Sequence, residues 1–169
     1  MERPLGAAAA VLTWLGWLTI CPALGFPTLA PVAMVNRAIF ANVQQAGRNP
    51  GYWFGWVVVI TGLLVAVAVF LIFDRIGLMR ARLLTGVFYG ASVWLFSGVV
   101  IMPLLGLVQP STPLPANFDS MHATLMMYSL GPLAAAAALI AWLLFGAILG
   151  ATWSAAARSA TAPVGAPAP

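Results

Sequence analysis

The sequence predicts an all-α membrane protein: a bundle of four transmembrane helices, N-in/C-in, with a short outer interfacial helix between spans 1 and 2. Three observations predict it. Of the 169 residues, 63% are hydrophobic and only 6% are charged, where a soluble domain carries about 25% charged residues. Mean hydropathy is +1.02. The apolar residues fall into four long runs, and a bilayer core about 30 Å thick needs roughly 20 apolar helical residues to cross it. Only a helix or a closed barrel satisfies its own backbone groups in hydrocarbon.

The first run extends from about Leu5 to Leu24, and Pro22 and Pro27 stop it. Its start, MERP followed by LGAAAAVLTWLGWLTI, has the layout of a signal peptide. Ile20, before Cys21, is bulky where a lipoprotein cleavage box needs a small residue, so the segment reads as a retained first helix. Between spans 1 and 2, Val32, Val35, Ile39 and Val43 recur at three to four, with Asn36 and Arg37 elsewhere on the wheel. This predicts an amphipathic helix at about 30–43 lying on the outer surface; a loop packed on the bundle is the alternative.

The second span covers Tyr52 to Phe73 and closes on Asp74-Arg75. The third runs from about Leu83 to Leu107, with Pro103 in its last third. The fourth reaches from about Met121 to Trp153, roughly 50 Å as a straight helix and too long for an upright span, so a kink is expected at Gly131-Pro132. Residues 1–153 thus form one domain. Residues 154–169 are an Ala/Pro-rich tail with too little apolar bulk to fold alone, expected to be disordered.

All seven basic residues are arginines. An inside N-terminus puts Arg3, Arg75, Arg80, Arg82 and Arg158 in the cytoplasm and leaves Arg37 and Arg48 outside, which sets the orientation. Tyr52, Trp53 and Trp56 then form an outer aromatic belt and Trp153 an inner one. Single arginines between apolar runs are membrane-edge anchors, so no nucleic acid is expected as a partner.

Without a hydrophobic drive between helices in lipid, small residues must let backbones approach. The candidates for helix packing are Gly86 and Gly90 in span 3 and Gly146 and Gly150 in span 4. Gly62 with Ala66 in span 2 and the run Ala134 to Ala138 are further small faces. Packing within the bundle is the simpler use, and a seam with another protein is the alternative.

Chemistry is sparse. No Asp, Glu, Arg or Lys lies in the middle of a span, where proton relays and ion-coupled carriers place theirs. His122 is the single histidine and Cys21 the single cysteine, so a disulfide within the chain and a bis-histidine haem are both excluded. His/Met ligation of haem or copper remains: Met126 lies four residues on, and Met121, Met127 and Met102 lie at similar depth. Methionine is also an ordinary gap-filler, and Asp119 or Ser120 is a reasonable cap for a helix starting near His122. A third use of His122 is cofactor-binding toward a quinone or haem that belongs to a partner. Nucleophilic catalysis lacks a plausible set.

Three stretches carry a resemblance: TWLGWLTICPALGFP, LLTGVFYGASVWLFSGVVIMPLLG and MHATLMMYSLG. They resemble a family of small bacterial four-span membrane proteins of unknown function, over roughly residues 10–152. The resemblance implies the four-span fold and a surface helix after span 1, with no known reaction. That family often has a histidine early in the second span; this chain has GWVVVITG there, so any role of paired histidines is lost.

The leading expectation is a non-catalytic accessory or structural subunit, not an enzyme, of a larger complex in the bacterial cytoplasmic membrane, such as respiratory or photosynthetic electron-transfer machinery. Its partners would be other integral membrane subunits and the lipid bilayer. No cofactor of its own is expected, only lipid or the quinone, pigment or haem of a partner. The alternatives are a small transporter or channel for a neutral solute, and a haem, copper or quinone-binding redox protein using His122. The N-in/C-in orientation predicts that a reporter fused after Arg158 is active only in its cytoplasmic form; an exported reporter contradicts it.

Overall fold

The computed structural model describes residues 2–29, 31–36, 52–78, 82–108, 125–126 and 131–161. All regular structure among them is helical, and four helices are long and apolar enough to cross a membrane. The first span is α1 (Glu2–Ile20), followed by a tight 3-10 turn, Cys21–Leu24. Pro22 has no N–H to continue an α-helix, and Gly25 closes the turn with φ 85, returning its N–H to the carbonyls of Cys21 and Pro22. A short helix, α2, occupies residues 31–36; the remainder of the predicted interfacial helix lies outside the described residues. Span 2 is α3 (Tyr52–Arg75).

Span 3 is one rod in three parts: α4 (Leu83–Phe96), a wide π turn (Ser97–Ile101) and α5 (Met102–Val108). Pro103 explains the middle part. Its ring collides with the carbonyl four residues back and it donates no N–H, so the preceding turn opens. The Met102 N–H accordingly reaches the Ser97 carbonyl five residues back.

Span 4 is α6 (Pro132–Thr161). Gly131 lies outside it at φ 85. Gly131-Pro132 therefore starts the helix instead of bending it, with proline at a position that needs no N–H. Of the predicted stretch before it, only residues 125 and 126 are described. At the other end the helix continues past Trp153 to Thr161, through residues expected to be disordered. Alanine is the best helix former, and adding residues to an existing helix avoids the cost of nucleation. Residues 162–169 of that tail lie outside the described residues.

Of the most apolar stretch of each span, 44% is buried in α6, against 17%, 22% and 11% in spans 1, 2 and 3. α1 and α4 pack against α6. Against α4 the approach is backbone to backbone. A methyl placed on Gly86 would collide with the Gly146 carbonyl oxygen and come within 2.9 Å of the Gly150 α-carbon. One on Gly90 would meet the Trp142 carbonyl, and one on Gly150 the Arg82 carbonyl. Gly86, Gly90, Gly146 and Gly150 thus face one another across a single antiparallel seam.

α1 lies along another side of α6. Gly6 fits against Thr152, with no room for a methyl between them. Trp14 and Trp142 meet at 5.6 Å between ring centroids, and the Trp17 indole N–H donates to the Ala137 carbonyl at 2.8 Å. Ala134, Ala137, Ala138 and Ala141 are buried where these chains converge. Trp153 does not form a lipid-facing belt: it is 4% exposed and packs edge-on against Phe70. Trp53 and Trp56, by contrast, are 65% and 40% exposed. Gly90→Leu should cost about 3 kcal/mol by forcing α4 off α6, read as a lowered unfolding temperature in micelles. Gly16→Leu, whose added carbon meets nothing within 4 Å, should leave that temperature nearly unchanged.

Candidate functional site: an apolar cleft between spans 2 and 3

α3 stands apart from the α1–α4–α6 group along much of its length. It is fastened at two levels. Toward its C-terminal end, the Tyr89 hydroxyl donates to the Ala66 carbonyl, and the Tyr89 ring meets Phe70 at 5.2 Å. Phe70 is fully buried and also contacts Trp153. Toward its N-terminal end, Gly55 lies against α2, where a methyl would come within 2.6 Å of the Val32 carbonyl and 2.8 Å of Asn36 Oδ1. Asn36, expected off the apolar face, is 5% exposed and buried beside Val32 and Val35. The closeness of α3 at Gly55 leaves no room for α2 to present that side to water.

Alongside α3, from Val58 past the Tyr89–Ala66 bond to Phe73, runs a cleft of about 770 Å³. Leu63 and Val69 of α3 form one wall, and Val93 and Met102 of span 3 form the other. Trp14 and Trp142 form its floor, and Met34 and Val35 of α2 close one end. Its volume falls within the 300–1,000 Å³ typical of ligand sites. A second, shallower hollow of about 410 Å³ lies at the turn where Phe26 and Pro27 meet Gly131 and Pro132.

The hydroxyls that line the cleft among the described residues are already used. Tyr89 is bonded to Ala66, Ser92 Oγ donates to the Phe88 carbonyl at 2.9 Å, and Ser97 Oγ donates to the Trp94 carbonyl at 2.9 Å. The Trp14 indole N–H has no partner, and its nitrogen is shielded from the cleft as well as from solvent. Outside the cleft the pattern repeats: Trp94 Nε1 donates to the Ala135 carbonyl at 3.2 Å, and Thr152 Oγ1 to the Ile148 carbonyl at 2.7 Å.

His122 lies outside the described residues, as do Met121 and Met127. Met126 is described, at φ 52, with its sulfur seated where Gly98 has no side chain. Met102 packs with Met34 and Leu105. Both act here as apolar filling for the irregular surface of the π turn. Among the described residues no three His, Cys, Asp or Glu side chains cluster as metal ligands. Asp74 has an interaction partner within the protein.

Comparison with protein families, curated proteins and solved structures finds no match.

Sequence reasoning placed the four seam glycines on their helices but missed the cleft. Gly62 was a readable signal. It was taken as a packing residue with Ala66, whereas a methyl on Gly62 meets nothing within 4 Å and the position borders the cleft. Tyr89→Phe should remove one helix-to-helix fastening worth about 1 kcal/mol. Faster amide exchange in α3 than in α6 would register that loss.

Proposed function

We propose that the chain is a non-catalytic subunit of a larger integral membrane complex, held in the bacterial cytoplasmic membrane with both termini inside. The observation that supports this reading is how the polar atoms of the spans are spent. The Tyr89 hydroxyl and the Trp17 and Trp94 indoles bind carbonyls of neighbouring helices. Ser92, Ser97 and Thr152 bind carbonyls of their own helix. A catalytic or ion-handling site needs polar groups held ready for a substrate; here those named serve as fasteners, and the unpartnered Trp14 indole nitrogen is closed off from its surroundings. Among the described residues the acidic and basic side chains near the spans sit at helix ends, with Asp74 and Arg75 finishing α3 and Arg82 preceding α4.

The glycine seams, which also suggested contact with other subunits, are occupied by α4 and α6 packing against each other. The surface left for partners therefore includes the apolar side of α3 and of span 3, with Leu64, Phe88, Leu95 and Leu104 each more than half exposed. Electron-transfer machinery remains one candidate setting among membrane complexes, and no described residue favours it over the others.

A second reading, a small carrier for a neutral solute, is favoured by the cleft beside α3. One comparison separates the two. Full-length tagged chain, gently solubilised from its native membrane, should migrate on a native gel with other integral subunits, well above the 17.7 kDa chain in its own micelle. The purified chain in liposomes should pass no neutral solute such as glycerol. Migration alone, together with solute flux, would replace the subunit reading with the carrier.

A further inference from the structure

We propose that α5 is a hinged gate: it swings about the π turn ahead of Pro103 and so opens and closes the end of the cleft that α2 covers. The proposal concerns this motion alone and is independent of the subunit reading.

The anchorage of span 3 stops short of the joint. α4 is held to α6 at Gly86 and Gly90, and last by the Trp94 indole bond to the Ala135 carbonyl. From that level α6 continues for three residues to its start at Pro132, about 4.5 Å at 1.5 Å per residue. Span 3 runs the opposite way and reaches Met102 eight residues on, about 12 Å. α5 therefore overhangs the end of α6. Its Leu104 and Leu107 are 54% and 82% exposed, and of the four spans the third has the smallest buried share.

The joint itself lacks the bonds that stiffen a helix. In an α-helix the N–H groups of residues 102 and 103 would serve the carbonyls of Gly98 and Val99. The Met102 N–H goes instead to the Ser97 carbonyl, and Pro103 has no N–H to give. Bending at this point breaks no α-helical bond to either carbonyl, and helices bend sharply at such places.

Beyond the joint, Met102 and Leu105 pack on Met34 of α2. This contact works as a latch. Its members are all apolar, so hydrocarbon can take the place of either side when they part. The unbranched methionines re-form the contact without demanding one geometry. Ile101, Met102 and Leu105 supply the span 3 side of the cleft where Met34 and Val35 of α2 close it. Releasing the latch opens that end sideways, and closing it restores the wall.

Distances between paired spin labels, measured by pulsed electron paramagnetic resonance, test the swing. Leu107 lies six residues beyond Ile101, about 9 Å along the axis, so a change of about 30° in the bend displaces it by about 5 Å. The full chain, with Cys21→Ala, is labelled at Leu12→Cys on α1 and Leu107→Cys and placed in liposomes. The control pairs Leu12→Cys with Phe88→Cys on α4, before the joint; all three positions are exposed. The Leu12–Leu107 pair should show two distances about 5 Å apart, and the Leu12–Phe88 pair one. Pro103→Ala supplies the missing N–H and should collapse the first pair to a single distance. Met34→Ala removes the latch and should raise the share of the displaced distance by about twofold or more, which keeps the test decisive if Pro103→Ala fails to fold. A single Leu12–Leu107 distance without further substitution, two distances persisting in folded Pro103→Ala, or an unchanged share in Met34→Ala overturns the proposal.

Discussion

The rest of the structure depends on the backbone-to-backbone seam between α4 and α6. In hydrocarbon, burying one apolar side chain against another gains little, because lipid is as apolar as leucine. What remains is dispersion at close range and hydrogen bonds with no water to compete. Gly86 and Gly90 set against Gly146 and Gly150 bring two helix backbones nearer than any side chain would allow. That approach fixes where α4 lies, and the Trp94–Ala135 bond then sets its rotation. α1 is placed on α6 in a related way, with Gly6 against Thr152 at one end and the Trp17–Ala137 bond at the other.

α3 has no such seam. Its one close approach is at Gly55, against α2, and elsewhere it is tied by Tyr89 and Phe70. The cleft follows from this difference. Held at Gly55 and again around Ala66 and Phe70, with no small-residue stripe that meets a neighbouring span, α3 leaves a gap of about 770 Å³ beside it. The π turn ahead of Pro103 widens span 3 on the opposite wall. Scaffold and cleft thus have one origin: the glycine pairs that bring two spans into backbone contact lie on α4 and α6, and α3 has none.

Much of this was legible in the sequence. The four spans follow from apolar length, and proline and glycine mark the stops after Ile20 and before Pro132. The seam glycines could be named because glycine at four-residue spacing in an apolar helix has few other uses. Their pairing could not, since Gly86 and Gly90 carry no mark of which helix they face. Trp153 looked like an interfacial anchor because it ends an apolar run; the ring of Phe70, 83 positions away in the chain, draws it inside. Asn36 falls off the Val32–Val35 stripe on the helical wheel, yet the proximity of Gly55 buries it. The Ala/Pro-rich tail has too little apolar bulk to fold alone, but its prolines begin only at Pro163, and the alanines before them extend α6 to Thr161. His122, the residue with most chemical promise in the sequence, lies outside the described residues, and among the described residues the site that emerges is lined by no acidic or basic side chain.

The account rests on the α4–α6 seam being internal to one chain, and cysteine cross-linking tests that most directly. With Cys21 replaced by alanine, cysteines in place of Trp94 and Ala135, which meet across the same pair of helices without touching the seam glycines, can be joined by a short bifunctional thiol cross-linker. Treatment in the native membrane should give a compact, faster-migrating monomer bridged within itself. A cross-linked dimer in its place would move the seam to an interface between molecules and contradict the account.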